Sequence, residues 1–70
     1  MERVAVQSNE IAVVGYSAET STLEITFRRG GVYHYLNVPE EVHRALLQAS
    51  SVGTYFAQKI KDVYSCQKIR

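Results

Sequence analysis

The sequence predicts an α+β domain: an antiparallel meander of three or four strands followed by two helices packed on one of its faces. Three observations carry that expectation. Apolar and polar residues alternate through "TLEITFR", turn-forming clusters at "QSNE" and "SAETS" divide the first half, and helical spacing of apolar residues begins only after Pro39.

Val4 and Val6 alternate with polar neighbours before "QSNE" turns the chain. Ile11, Val13 and Gly15 then alternate with Ala12, Val14 and Tyr16, so the two runs read as strands joined in a hairpin. After "SAETS", Leu23, Ile25 and Phe27 fall on one face of the next strand and Glu24, Thr26 and Arg28 on the other. This third run is the clearest strand in the chain.

The connection "FRRGGV" sets the register of the fourth strand against the third. A type I turn over Arg28 and Arg29, closed by Gly30 in the left-handed region, would oppose Phe27 to Gly31, Ile25 to Tyr33 and Leu23 to Tyr35. Both tyrosines then join the apolar face. A two-residue loop would slip the pairing by one, placing Val32, His34 and Leu36 there instead. The first register is preferred, because a type I turn favours glycine at its fourth position and tolerates arginine at both central ones.

Pro39 suits the first position of a helix, and Glu40 and Glu41 complement the positive end of its dipole. Val42, Ala45, Leu46 and Ala49 recur at helical spacing until Ser50 and Ser51 interrupt them. Ser51 then caps a second helix whose core stripe is Val52, Phe56, Ile60 and Val63. Lys61, Tyr64 and Lys68 fall on one flank of that stripe, and Tyr55 and Lys59 on the other. The closing "QKIR" is expected to fray.

Residues 1–70 are expected to form one domain with a thin core. A chain of this length buries only about 60% of the surface its unfolded form exposes. With one cysteine, Cys66, no internal disulfide can compensate, so a homo-oligomer is expected. At 46% apolar and 21% charged residues the chain has a folded composition, not that of a disordered tail. No apolar run reaches the about 18 residues of a membrane span, and "MERVAVQSNE" lacks the apolar stretch of a signal peptide. A cytoplasmic setting and no membrane partner are the expectation, with which the unpaired cysteine agrees.

The net charge of +1 conceals a division. One basic residue faces four acidic ones up to Phe27, whereas seven face three from Arg28 onward. That asymmetry falls short of a bulk duplex-DNA binder but suffices for a few phosphates.

The chemistry-bearing residues form no catalytic set. His34, His43 and Cys66 are too scattered for a Cys/His site or for the short, regular ligand intervals of zinc. Glu10, Glu19 and Glu24 offer carboxylates, as strand ends and turns commonly do for solubility. No enzyme activity, metal or cofactor is therefore expected. "GG" at Gly30 and Gly31 is a hairpin turn and not a phosphate loop. At "SSVGT", small residues meet a helix start, which reads either as an anion site at Ser51 and Gly53 or as a cap at Ser51 with close packing at Gly53.

Five tyrosines in a chain without tryptophan suit stacking against bases, and Arg28, Arg29, Arg44, Lys59, Lys61 and Lys68 supply partners for phosphate. For Tyr33 and Tyr35 the competing reading is core packing, and for the lysines a solvated helix face. The candidate ligand-binding residues are Arg28, Arg29, Tyr33, His34, Tyr35, Ser51, Gly53, Tyr55, Lys59 and Lys61.

"NEIAVVGYS", "TLEITFRRGGVYHYLNVPEEV" and "ALLQASSVGTYFAQKIKDVY" together resemble the KTSC domain, a short module related to a C-terminal extension of some lysyl-tRNA synthetases. Stand-alone bacterial and phage forms of it also occur. The likeness runs from about Ser8 to Ile69 and rests on Tyr33-x-Tyr35, on Val38-Pro39, and on Ala49-x-Ser51-x-Gly53. Phe56, Ile60, Lys61 and Tyr64 also fit the pattern, whereas Ser17 stands where an aspartate is expected. The resemblance implies no established activity. It implies RNA or a small nucleotide as ligand and, in a phage form, sequestration of a host signalling nucleotide as an anti-defence role. The alternative is an adaptor that recruits a host protein.

Overall fold

The computed structural model describes all 70 residues. Five strands lie side by side in chain order and antiparallel throughout: β1 (Glu2–Ala5), β2 (Ile11–Ser17), β3 (Thr22–Phe27), β4 (Val32–Tyr35) and β5 (Cys66–Lys68). Helices α1 (Glu40–Gln48) and α2 (Val52–Lys59) fall between β4 and β5 and cover one face of the sheet. No helix is long and apolar enough to cross a membrane.

The β3–β4 hairpin takes the preferred register, with Leu23 opposite Tyr35 and Ile25 opposite Tyr33. Its turn closes through a 3.0 Å bond from the Gly30 amide to the Phe27 carbonyl, and Gly30 sits at φ 112°. A side chain there would be strained, so glycine fixes this loop type and hence the face that each tyrosine takes.

Leu23, Ile25 and Tyr35 meet Val14 and Tyr16 from β2, Leu46 from α1, Phe56 from α2 and Ile60, the C-cap of α2, in one buried cluster. Tyr16 is anchored at both ends. Its hydroxyl donates to the Val38 carbonyl at 2.6 Å, and its ring stacks on His43 with centroids 4.6 Å apart. Burial lowers the pKa of that histidine below its ordinary value.

Four local expectations are corrected. First, the simple alternation expected along β2 fails, because a bulge between Ile11 and Val13 lets Ile11, Val14 and Tyr16 all face the core. Second, Pro39 lies just outside α1, as its cap residue. Third, α2 stops at Lys59. The Lys61 amide turns back to the Phe56 carbonyl at 2.9 Å, Asp62 takes a left-handed φ of 63°, and Val63 is left 61% exposed outside the core. Lys61, Tyr64 and Lys68, expected to share one flank of this helix, therefore all lie beyond it. Fourth, the C-terminal residues do not fray. Cys66 pairs with Tyr35, Gln67 with His34 and Lys68 with Tyr33, so β5 forms a fifth strand on the edge of the sheet.

Candidate functional site

The β3–β4 register and the placement of α2 together open a cleft of about 510 Å³ beside the hairpin turn. Phe27, Tyr33, Tyr35 and Phe56 supply its aromatic wall, and Arg29 and Lys61 stand at its border. Phe27 meets the Tyr33 ring edge-on at 5.5 Å and the Phe56 ring at 5.7 Å, while Tyr35 meets Phe56 at 5.4 Å. Such edge-to-face contacts hold each ring in one orientation. Tyr35 is almost fully buried, whereas Tyr33 is half-buried. Arg29 and Lys61 are exposed and take part in no ion pair.

β5 flanks β4 on the side away from β3. Directly opposed residues of an antiparallel pair share a face, so Lys68 stands beside Tyr33 and Cys66 beside Tyr35. Burial pushes the Tyr35 phenol up to about 12, and the neighbouring Cys66 thiol reinforces the shift.

A second, wider cleft of about 1010 Å³ adjoins the first and shares Glu10 and Ala57 with it. Its other lining is mostly polar, from the β1–β2 loop and the start of α2. Ser51 caps α2 by accepting from the Thr54 amide at 3.2 Å, and its hydroxyl donates to the Thr54 hydroxyl at 2.9 Å. A Cβ on Gly53 would stand 3.3 Å from both the Glu10 carboxylate and the Ser8 hydroxyl, so glycine lets the loop close onto the helix.

The expected site residues therefore separate. Arg29, Tyr33, Tyr35 and Lys61 converge on the aromatic cleft. Arg28, Ser51 and Gly53 line the polar one. Arg28 is also a clamp, donating to the carbonyls of Val6, at 3.0 Å, and Ser8. Tyr55 packs against the core, Lys59 is exposed in the last turn of α2, and neither lines either of these two clefts.

His34 is placed on the opposite face, because alternation along β4 turns it away from Tyr33 and Tyr35. There it meets Glu24 at 2.8 Å, and Arg3 reaches the same carboxylate at 2.6 Å. The Arg3 hydrogen bond is the main reason that the Glu24 carboxyl lies down at about 2, with His34 assisting against the cost of burial. No three His, Cys, Asp or Glu side chains gather as a metal site. Phe27, Phe56 and Glu10 complete the clefts although sequence reasoning did not place them there. The hairpin register would have found Phe27.

A five-stranded meander with two helices on one face, carrying an aromatic cleft bordered by Arg29 and Lys61, defines a small α+β module. The chain belongs to the KTSC domain family, whose model matches residues 7–64. It is similar to an uncharacterised protein of Stutzerimonas stutzeri, 46% identical over 87% of this chain and 86% of that protein. Its fold superposes with a TM-score of 0.95 on the crystal structure of a KTSC domain protein from Yersinia pestis, 40% identical over 99% of this chain and 97% of that one. A lysine–tRNA ligase of Nostoc punctiforme is 33% identical over 90% of this chain but only 11% of its own length.

Proposed function

We propose that this chain is a non-enzymatic binding module for a phosphate-bearing ligand and that a small nucleotide is its ligand. The observation that carries the reading is the aromatic cleft with Arg29 and Lys61 unpaired at its border. A half-buried Tyr33 offers a ring for stacking, worth about 1–3 kcal/mol per base, while the two cations meet phosphate. The volume falls within the about 300–1,000 Å³ usual for small-molecule sites. Similarity to a segment of lysine–tRNA ligases keeps RNA in view. A single aromatic recess interrupted by Glu10 suits one nucleotide better than a running phosphate backbone. In a phage setting such a module would act by sequestering a host signalling nucleotide in the cytoplasm.

Calorimetric titration with mononucleotides, cyclic dinucleotides and short RNAs at low and moderate salt tests this. Micromolar binding that weakens about tenfold in Arg29→Ala and falls with salt is expected. Absence of micromolar binding to every probe would overturn the reading.

A second reading, a protein-interaction adaptor, rests on the two sheet edges. β1 and β5 are exposed along their length, with Val4, Val63 and Ile69 exposed on or next to them. Edges of this kind accept a further strand, from another protein or from a second copy of this chain in a homo-oligomer. A stoichiometric complex that survives nuclease treatment, or a light-scattering mass above the monomer, supports it. A nucleotide-free monomer at high concentration with no retained protein counts against it.

A further inference from the structure

We infer that Glu10 is a specificity-determining residue and that it selects a guanine base; this rests on the nucleotide-binding reading above. Glu10 is the one acidic side chain that lines either cleft, and it stands where the two meet. Its carboxylate takes part in no ion pair.

The backbone that carries it is held on both sides. The Glu10 amide donates to the Ser8 hydroxyl at 3.2 Å, and its carbonyl accepts from the Arg28 amide at 2.8 Å. The Arg28 side chain in turn ties down the carbonyls of Val6 and Ser8. Close approach of Gly53 places the Glu10 carboxylate against the first turn of α2, between the polar and the aromatic linings. A free carboxylate on a tethered backbone, between a stacking ring and a polar cleft, is built to accept hydrogen bonds from a ligand and to repel a second phosphate.

The bases differ sharply in what they offer such a group. Guanine presents two adjacent donors, the ring N1–H and the 2-amino group, which match the two oxygens of one carboxylate. Adenine and cytosine set their amino donor next to an acceptor nitrogen, whose lone pair faces the second oxygen. Uracil flanks its single N–H with two carbonyls. With the base against Tyr33 and phosphate held at Arg29 and Lys61, the Watson–Crick edge is the part left to meet Glu10. A good bidentate contact with a base discriminates by about tenfold or more.

Binding of GMP, IMP, AMP and UMP to the wild type and to Glu10→Gln tests the inference, since these probes differ only in the base. GMP is expected to bind about tenfold more tightly than AMP or UMP, and IMP, which lacks the 2-amino group, in between. Glu10→Gln is expected to abolish the preference for GMP over AMP, by weakening GMP and by relieving the repulsion that the carboxylate sets against adenine. An unchanged thermal midpoint of the variant assigns that loss to recognition. Equal binding of GMP and AMP by the wild type, or a preference that survives the substitution, overturns the role of Glu10 and leaves nucleotide binding standing. If none of the four binds, and the wider titration also fails, it is the nucleotide reading that falls and this inference with it.

Discussion

The two faces of the β3–β4 hairpin are built from alternating residues of the same two segments, yet they treat polar groups in opposite ways. On the open face Glu24 is paired with Arg3 on one side and His34 on the other, so three strands are joined by charges that satisfy one another. On the helix-covered face Tyr33 and Tyr35 enter an aromatic wall, and Arg29 and Lys61 border it with no acidic partner. Paired charges hold the sheet together; unpaired ones are available to a ligand. His34 and Tyr33 are chain neighbours, and alternation along β4 sends one to each face.

The largest expected effect breaks the covered face itself. Ile25 is fully buried opposite Tyr33, and Ile25→Ala should cost about 2–5 kcal/mol through lost burial and the cavity left behind. In a domain of this size that is a large share of the total stability. Urea unfolding would show it as a lower midpoint, and an unchanged midpoint would mean that this face is not the core.

A smaller effect sharpens the contrast from the other side. Glu24 is depressed to about 2 in the folded protein against an ordinary carboxylate value near 4.5, chiefly by its hydrogen bond with Arg3. Its stabilising contribution is therefore complete above pH 4.5 and is lost as pH falls towards 2. Glu24→Gln should cost about 1–2 kcal/mol near neutrality, a figure discounted because Arg3 is half exposed. It should also flatten the fall in stability below about pH 5. If the faces are as independent as their pairing implies, nucleotide affinity stays unchanged in this variant. A loss of affinity equal to that of Arg29→Ala would show that the open face carries the site.

The same contrast governs what the sequence made legible. The pairing of Leu23 with Tyr35 and Ile25 with Tyr33 was readable because Gly30 permits one loop type, and that loop sets the register of every residue after it. The β2 bulge was not readable, since Ala12 carries no turn chemistry and the bulge is set by pairing with β3. Nor was the end of α2. Asp62 takes the left-handed position that glycine usually marks, and "KDVY" otherwise continues a helical pattern. β5 has three exposed residues with no apolar alternation, so only its partner β4 makes it a strand. For the site, Arg29, Tyr33, Tyr35 and Lys61 were readable as residue types. Their convergence depends on where α2 ends, and the place of Glu10 depends on the Arg28 clamp and on space at Gly53.

The smallest effect lies where the late strand meets the covered face. Burial is the main cause that raises Tyr35 to about 12, and Cys66, its partner across β4 and β5, is the next. Tyrosine is neutral in its protonated form, so a raised value stabilises the fold fully below pH 10 and loses that contribution as pH rises towards 12. Cys66→Ala removes the thiol but leaves the burial, so tyrosinate absorbance should show Tyr35 titrating at lower pH while still above its ordinary value. Because Cys66 is exposed, stability at neutral pH should change by no more than about 0.5 kcal/mol. A Tyr35 transition unmoved by the substitution would mean that β5 only borders the aromatic wall. A shift would show that this edge strand contributes to the electrostatics around Tyr35 alongside burial, on the strand where Lys68 pairs with Tyr33.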